Sequence, residues 1–154
     1  MARNAAFDAR YVAAQRYVPA GSAITLDRVE HSGKTIQLDT LAGSTVTLPA
    51  AVGSGVVFEF VTSVLATSNS HIVKVGNSTD VMSGKLTVVD NADGSSTTFG
   101  TVAASDTITA NRTTTGSVKI GERFWVEDVK AGFWAVDGYL IGTGTEATPF
   151  SATV

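Results

Sequence analysis

The chain has no cysteine. This excludes a disulfide framework, a thiolate-bound zinc site and a thiol nucleophile. Charged side chains are scarce, at 16% of 154 residues, where about a quarter is usual. The net charge is −3, so no global field draws the chain to nucleic acid. No apolar run approaches the ~18 residues that a membrane-spanning helix needs. The first ten residues, Met-Ala-Arg-Asn-Ala-Ala-Phe-Asp-Ala-Arg, lack the apolar core of a secretory signal. Synthesis and folding in a cytoplasm are therefore expected. There are only two histidines, too few for a three-histidine metal site.

Small polar residues fill the space left by charge. The sequence holds 21 Thr, 14 Ser and 15 Gly, and 44% of its residues are apolar. The length fits one domain with a terminal segment. From Ser22 onward, short runs alternate apolar and polar residues: Ser22–Leu26, Thr35–Leu38, Ser44–Leu48, Ile72–Val75, Val81–Val89, Ser96–Val102, Asp106–Ala110 and Ser117–Ile120. Val56–Val61 is nearly continuous and reads as buried on both faces. Glycines at 33, 43, 53, 55, 76, 94 and 132 fall between the runs. Ala131-Gly132 separates two aromatic-rich runs, so residues 124–141 are predicted to form a hairpin. No repeat of 20–50 residues is visible, which argues against a solenoid or propeller. The expected fold is all-β: an antiparallel β-sandwich, jelly-roll-like, over residues 22–154.

Residues 1–21 differ. They carry Arg3, Arg10 and Arg16 against Asp8, a charge of +2, which leaves −5 on the remainder. Phe7, Tyr11, Ala14 and Val18 share helical spacing, so this N-terminal arm is either a short helix or an extended segment. Its basic and aromatic side chains, Arg3, Phe7, Arg10, Tyr11, Arg16 and Tyr17, need a surface. That surface lies on the arm's own sandwich, on a neighbouring subunit or on a partner.

No residue set nominates catalysis. His31 and His71 read as ordinary surface or strand residues, and no serine sits in a Gly-x-Ser-x-Gly elbow. Asp90-Asn91-Ala92-Asp93-Gly94 lacks the alternating oxygens and distal glutamate of a calcium loop and reads as a turn. Gly76-Asn77-Ser78-Thr79-Asp80 reads the same way. Glu127 and Asp128 are adjacent in a strand, so they point to opposite faces and form no carboxylate pair. Gly53-Ser54-Gly55 has no following Lys-Ser/Thr and is not a phosphate loop. No enzyme activity, metal or cofactor is expected. Trp125 and Trp134 flank the hairpin, and each is either a sugar-stacking aromatic or packed in the core or between subunits.

Two stretches bear a family resemblance. Residues 31–60 run from His-Ser-Gly-Lys-Thr-Ile-Gln-Leu through Gly-Ser-Thr-Val-Thr-Leu-Pro-Ala to Gly-Val-Val-Phe-Glu-Phe. Together with Gly-Glu-Arg-Phe-Trp-Val (121–126) and Gly-Phe-Trp-Ala-Val (132–136), they resemble small bacteriophage virion proteins of the head decoration, or cement, type. The resemblance covers about 110 residues and leaves the arm outside it. It implies a trimeric sandwich on the outer surface of the virion head, made in the bacterial cytoplasm. The implied partners are the major capsid protein and further copies of the chain, with no nucleic acid and no membrane. A second reading is a tail-fibre or baseplate domain that recognises a host glycan through Trp125 or Trp134.

Overall fold

The structure, a computed structural model, describes residues 16–154. Among them are twelve strands and one turn of α-helix. In chain order these are β1 (Tyr17–Pro19), β2 (Ala23–Thr25), α1 (Arg28–His31), β3 (Thr35–Leu38), β4 (Thr45–Thr47), β5 (Val57–Thr62) and β6 (His71–Lys74). Then follow β7 (Val81–Asp90), β8 (Ser96–Gly100), β9 (Thr107–Ala110), β10 (Arg123–Lys130), β11 (Phe133–Gly142) and β12 (Phe150–Ser151). A seven-stranded sheet runs β1-β3-β5-β10-β11-β7-β8, and a five-stranded sheet runs β12-β9-β6-β4-β2.

The expected all-antiparallel pairing does not form. β1, β3 and β5 are mutually parallel, as are β2, β4 and β6, and β7 is parallel to β11. The first six strands alternate between the sheets, so each returns to its own sheet in the same direction. Three stacked two-strand rungs of a coil result. The absence of a repeat in the sequence did not exclude this winding, because its spacing is uneven. Tyr17 pairs with Thr35, 18 residues on, and Thr35 with Glu59, 24 residues on. The second half is mainly antiparallel, with hairpins β7–β8 and β10–β11 and the pairs β5–β10, β6–β9 and β9–β12. The predicted hairpin at 124–141 is β10–β11.

Alternation along the strands decides what is buried. Ile36, Phe58, Phe60, Phe124, Val126, Trp134, Leu86 and Val88 of the large sheet meet Val46, Leu48, Val73, Val75 and Ile108 of the small one. The rings of Phe60 and Phe124 stack at 4.9 Å between centroids. β5 is not buried on both faces as its apolar run suggested: Val57 and Glu59 face outward. Ser117–Ile120, expected as a strand, is a turn, because its backbone N–H groups converge on the Glu122 carboxylate instead of a sheet partner.

Two glycines allow the close approach of β7, β10 and β11. Gly84 has φ +148° and Gly138 φ +140°. A Cβ at Gly84 would run into the Val136 carbonyl, and one at Gly138 into the Phe124 backbone. Tyr17–Pro19, grouped with the arm by the sequence, is an edge strand of the large sheet. Val18 turns toward the core, and Pro19 is tolerated because an edge strand leaves one side unpaired. The arm residues 1–15 lie outside the described residues.

Candidate functional site

The pleat of the large sheet sends a second set of side chains outward. Strand register places Tyr17, Thr35, Glu59, Trp125 and Asp137 in one cross-strand row over β1, β3, β5, β10 and β11. A second row holds Val61, Arg123 and Tyr139. Glu127 lies two residues along from Trp125, on the same face. Tyr17, Val57, Trp125, Phe133 and Tyr139 are all substantially exposed on this face.

Glu59 organises the middle of the row. It accepts from the Thr35 hydroxyl at 2.6 Å and from the Arg123 guanidinium at 2.6 Å, and it is 3.4 Å from the Arg16 guanidinium. The Thr35 hydrogen bond, helped by both arginines, outweighs partial burial and holds the Glu59 carboxyl below its usual range. Beside it, Gly33, Lys34, Val57, Glu59 and Trp125 line an open groove of about 390 Å³. That is room for an aromatic side chain or a sugar ring.

The site residues expected from sequence separate clearly. Trp125 is 42% exposed and sits in the groove. Trp134 is fully buried, with its ring 5.8 Å from that of Phe58, so it cannot stack on a ligand. The reason is parity: Trp134 shares the inward face with Val136, while Trp125 shares the outward face with Glu127. Arg16 and Tyr17 lie at the edge of the outward face. Arg3, Phe7, Arg10 and Tyr11 lie outside the described residues. Sequence reasoning passed over Glu59, Arg123, Lys34 and Asp137. The available signal was a lone Glu between two phenylalanines in Phe58-Glu59-Phe60.

The buried acids act on the fold's own loops. Asp128 faces inward from β10 and is fully buried. It accepts from the backbone N–H groups of Val52 and Gly53 at 3.0 and 2.7 Å and from the Ser54 hydroxyl at 2.7 Å, with Arg28 Nε at 3.4 Å. Burial would raise its carboxyl, but the Ser54 hydroxyl and the loop N–H groups prevail and hold it at about 2. The Gly53-Ser54-Gly55 loop therefore does cradle an anion, and that anion is the chain's own carboxylate. Glu122 takes three backbone N–H groups of the 117–119 turn at 2.8–2.9 Å, while burial pushes its carboxyl up. Asp106 accepts from the N–H groups of Thr153 and Val154 and secures the C-terminal residues.

Both histidines are structural. His71 is buried at the start of β6; Nδ1 accepts from the Ser44 N–H at 3.0 Å, and Nε2 donates to the Val64 carbonyl at 2.8 Å. Burial pushes its pKa below the usual value. His31 closes the α1 turn, where Nδ1 accepts from the Asp27 N–H. Asp90 and Asp93 accept from Ala92 and Ser95 in the β7–β8 turn, and Asn77 accepts from Thr79 and Asp80 in its own turn. Among the described residues no group of three or more acids and histidines is placed to hold a metal, and no helix is long and apolar enough to cross a membrane. No family model, curated protein or solved structure matches the chain.

Proposed function

We propose that the chain is a structural virion protein of a bacteriophage, a decoration protein that binds the outer capsid surface as a trimer and stabilises the head. The observation that carries the reading is the outward face of the seven-stranded sheet. Tyr17, Val57, Trp125, Phe133 and Tyr139 are exposed there, in a chain whose acids and histidines largely serve its own loops. Exposed aromatic and apolar side chains interleaved with charged ones suit docking on another protein. The resemblance of residues 31–60 and 121–136 to head decoration proteins supplies the partner, the major capsid protein. A threefold capsid position would match a cyclic trimer, and its weak contacts would multiply through avidity. Light scattering of the purified chain and co-sedimentation with mature capsids test this. A trimer that pellets with capsids supports the proposal, and a monomer that stays in the supernatant refutes it.

One observation favours a second reading, a tail-fibre or baseplate domain that recognises a host glycan. Trp125 presents an exposed ring between Glu59, Asp137 and Lys34, a pairing of stacking surface and hydrogen-bonding groups that suits a sugar. Titration with host surface polysaccharide should then change Trp125 emission. An unchanged spectrum rules this reading out.

A further inference from the structure

We propose that the free edge of β8 is a strand-addition site, where an extended segment of the major capsid protein joins the seven-stranded sheet as an eighth strand. The inference rests on the capsid reading and names a second point at which that partner is held, beside the outward face.

Ladder parity leaves the edge open. β8 pairs antiparallel with β7, and no other described strand lies against it. The Asp90 N–H donates to the Ser95 carbonyl at 2.7 Å, and the Thr101 N–H donates to the Gly84 carbonyl at 2.9 Å. Between these two bonds the register pairs Val88 with Thr97 and Leu86 with Phe99. Hydrogen-bonded and non-bonded pairs alternate along an antiparallel ladder, so Thr97 and Phe99 turn their backbone groups to β7. Ser96, Thr98 and Gly100 turn theirs away from the sheet, and all three residues are exposed. The edge presents N–H donors and carbonyl acceptors in the spacing that an extended backbone matches.

The other sheet edges are blunted. β1 has three residues, and one of them is Pro19, which has no N–H. β2 has three residues and β12 has two. β8 has five, Ser96-Thr97-Thr98-Phe99-Gly100, with neither proline nor charge among them. Short length, proline and charge are the usual protections of an edge, and β8 carries none of them.

The same comparison decides the occupant. A second copy has only its own β8 long enough to pair, and β8 against β8 is a twofold contact that stops at a dimer. Such a contact does not build a trimer, whereas an outside segment adds to all three subunits alike. The outward face belongs to the same sheet. Strands lie about 4.8 Å apart, so an added strand lies about 14 Å from β11, which carries the exposed Phe133 and Tyr139. One partner can therefore cover the face and pair with the edge. On the inner side Phe99 is only partly buried against the core, so the added strand should set an apolar side chain against it.

Hydrogen exchange of the full chain, alone and bound to mature capsids, reads the edge directly. In the free chain, the Thr97, Phe99 and Thr101 amides should be protected, and those of Ser96, Thr98 and Gly100 should exchange fast. On capsids the fast amides should slow by at least about tenfold. Thr98→Pro removes an edge donor and leaves the β7 ladder whole. It should bind capsids at least about tenfold more weakly in co-sedimentation, with circular dichroism and oligomeric state unchanged. If that variant does not fold, exchange in the unaltered chain decides alone. Fast exchange of Ser96, Thr98 and Gly100 on capsids that carry the chain overturns the inference and leaves the capsid reading standing. Undiminished binding of folded Thr98→Pro does the same. Protection of those amides in the free chain also overturns it, because the edge is then filled by the chain itself or by a second copy. A chain that does not pellet with capsids overturns both readings.

Discussion

Replacing Asp128 with asparagine tests whether an inward carboxylate holds the β4–β5 loop to the sandwich. The Ser54 hydroxyl and the loop N–H groups hold the native carboxyl down at about 2, against an ordinary value of 3.8. At 1.36 kcal/mol per pKa unit, this corresponds to about 2 kcal/mol of stability. Because the folded value is depressed, that stability is present in full above the unfolded pKa. It is lost as pH falls from about 4 toward 2. Asparagine keeps one acceptor for Gly53 or Val52 but turns an amide toward Arg28, which already donates to the Ala50 carbonyl. Asp128→Asn should therefore cost about 2 kcal/mol at pH 7, lowering Tm by about 4–8 °C. The gap should shrink to under about 1 kcal/mol at pH 2.5, where the native carboxyl is partly protonated. Urea unfolding of both proteins over a pH series measures the gap at each point. The comparison isolates Asp128 from Glu59 and Asp106, whose carboxyls are also held low. A gap that does not change with pH, or one below about 0.5 kcal/mol at pH 7, would refute the clamp.

Gly138→Ala should destabilise by about 3 kcal/mol or more, since its φ of +140° and its contact with the Phe124 backbone both oppose a Cβ; chemical unfolding reads the loss. His71 should titrate in the folded protein below its ordinary 6.5, as followed by its ring-proton shifts. Its contribution to stability is then complete above that pH and falls as the solution is acidified. His71→Ala, which leaves the Ser44 N–H and the Val64 carbonyl unpaired, should cost about 2–4 kcal/mol by urea unfolding. Trp134→Ala should cost about 3–5 kcal/mol, and Trp134→Phe much less, because the buried indole N–H has no partner to lose. Trp125→Ala should cost clearly less than Trp134→Ala in the same assay, because Trp125 is half-exposed and Trp134 fully buried; equal losses would contradict the assignment of faces.

The strands were legible in the sequence because alternation reports burial directly. Phe124, Val126 and Asp128 are inward, and Trp125 and Glu127 outward, as their parity requires. Strand direction was not legible, since an alternating run reads the same whether its neighbour is parallel or antiparallel. What fixes direction here is the excursion of the chain through the other sheet between β1, β3 and β5, and no residue type announces that. The shortest elements were also hidden. β12 is two residues long, and α1 is one turn, capped by Asp27 accepting from Val29 and Glu30. Neither offers enough positions for a period to show.

The acids illustrate a deeper limit. Asp128 and Glu127 are adjacent and alike on paper, yet one is fully buried and the other faces outward. Parity separates them but does not reveal what the buried one binds. Its partners, Val52, Gly53 and Ser54, lie more than seventy residues away and contribute mainly backbone N–H groups, which every sequence has. The same holds for Glu122 and the 117–119 turn: a carboxylate that satisfies backbone donors leaves no side-chain signature at its partner. Side-chain pairing across the outward face does leave one. Glu59, Arg123 and Arg16 carry opposite charges in a chain with few charges of either sign, and strand register brings them together at the entrance to the Trp125 groove.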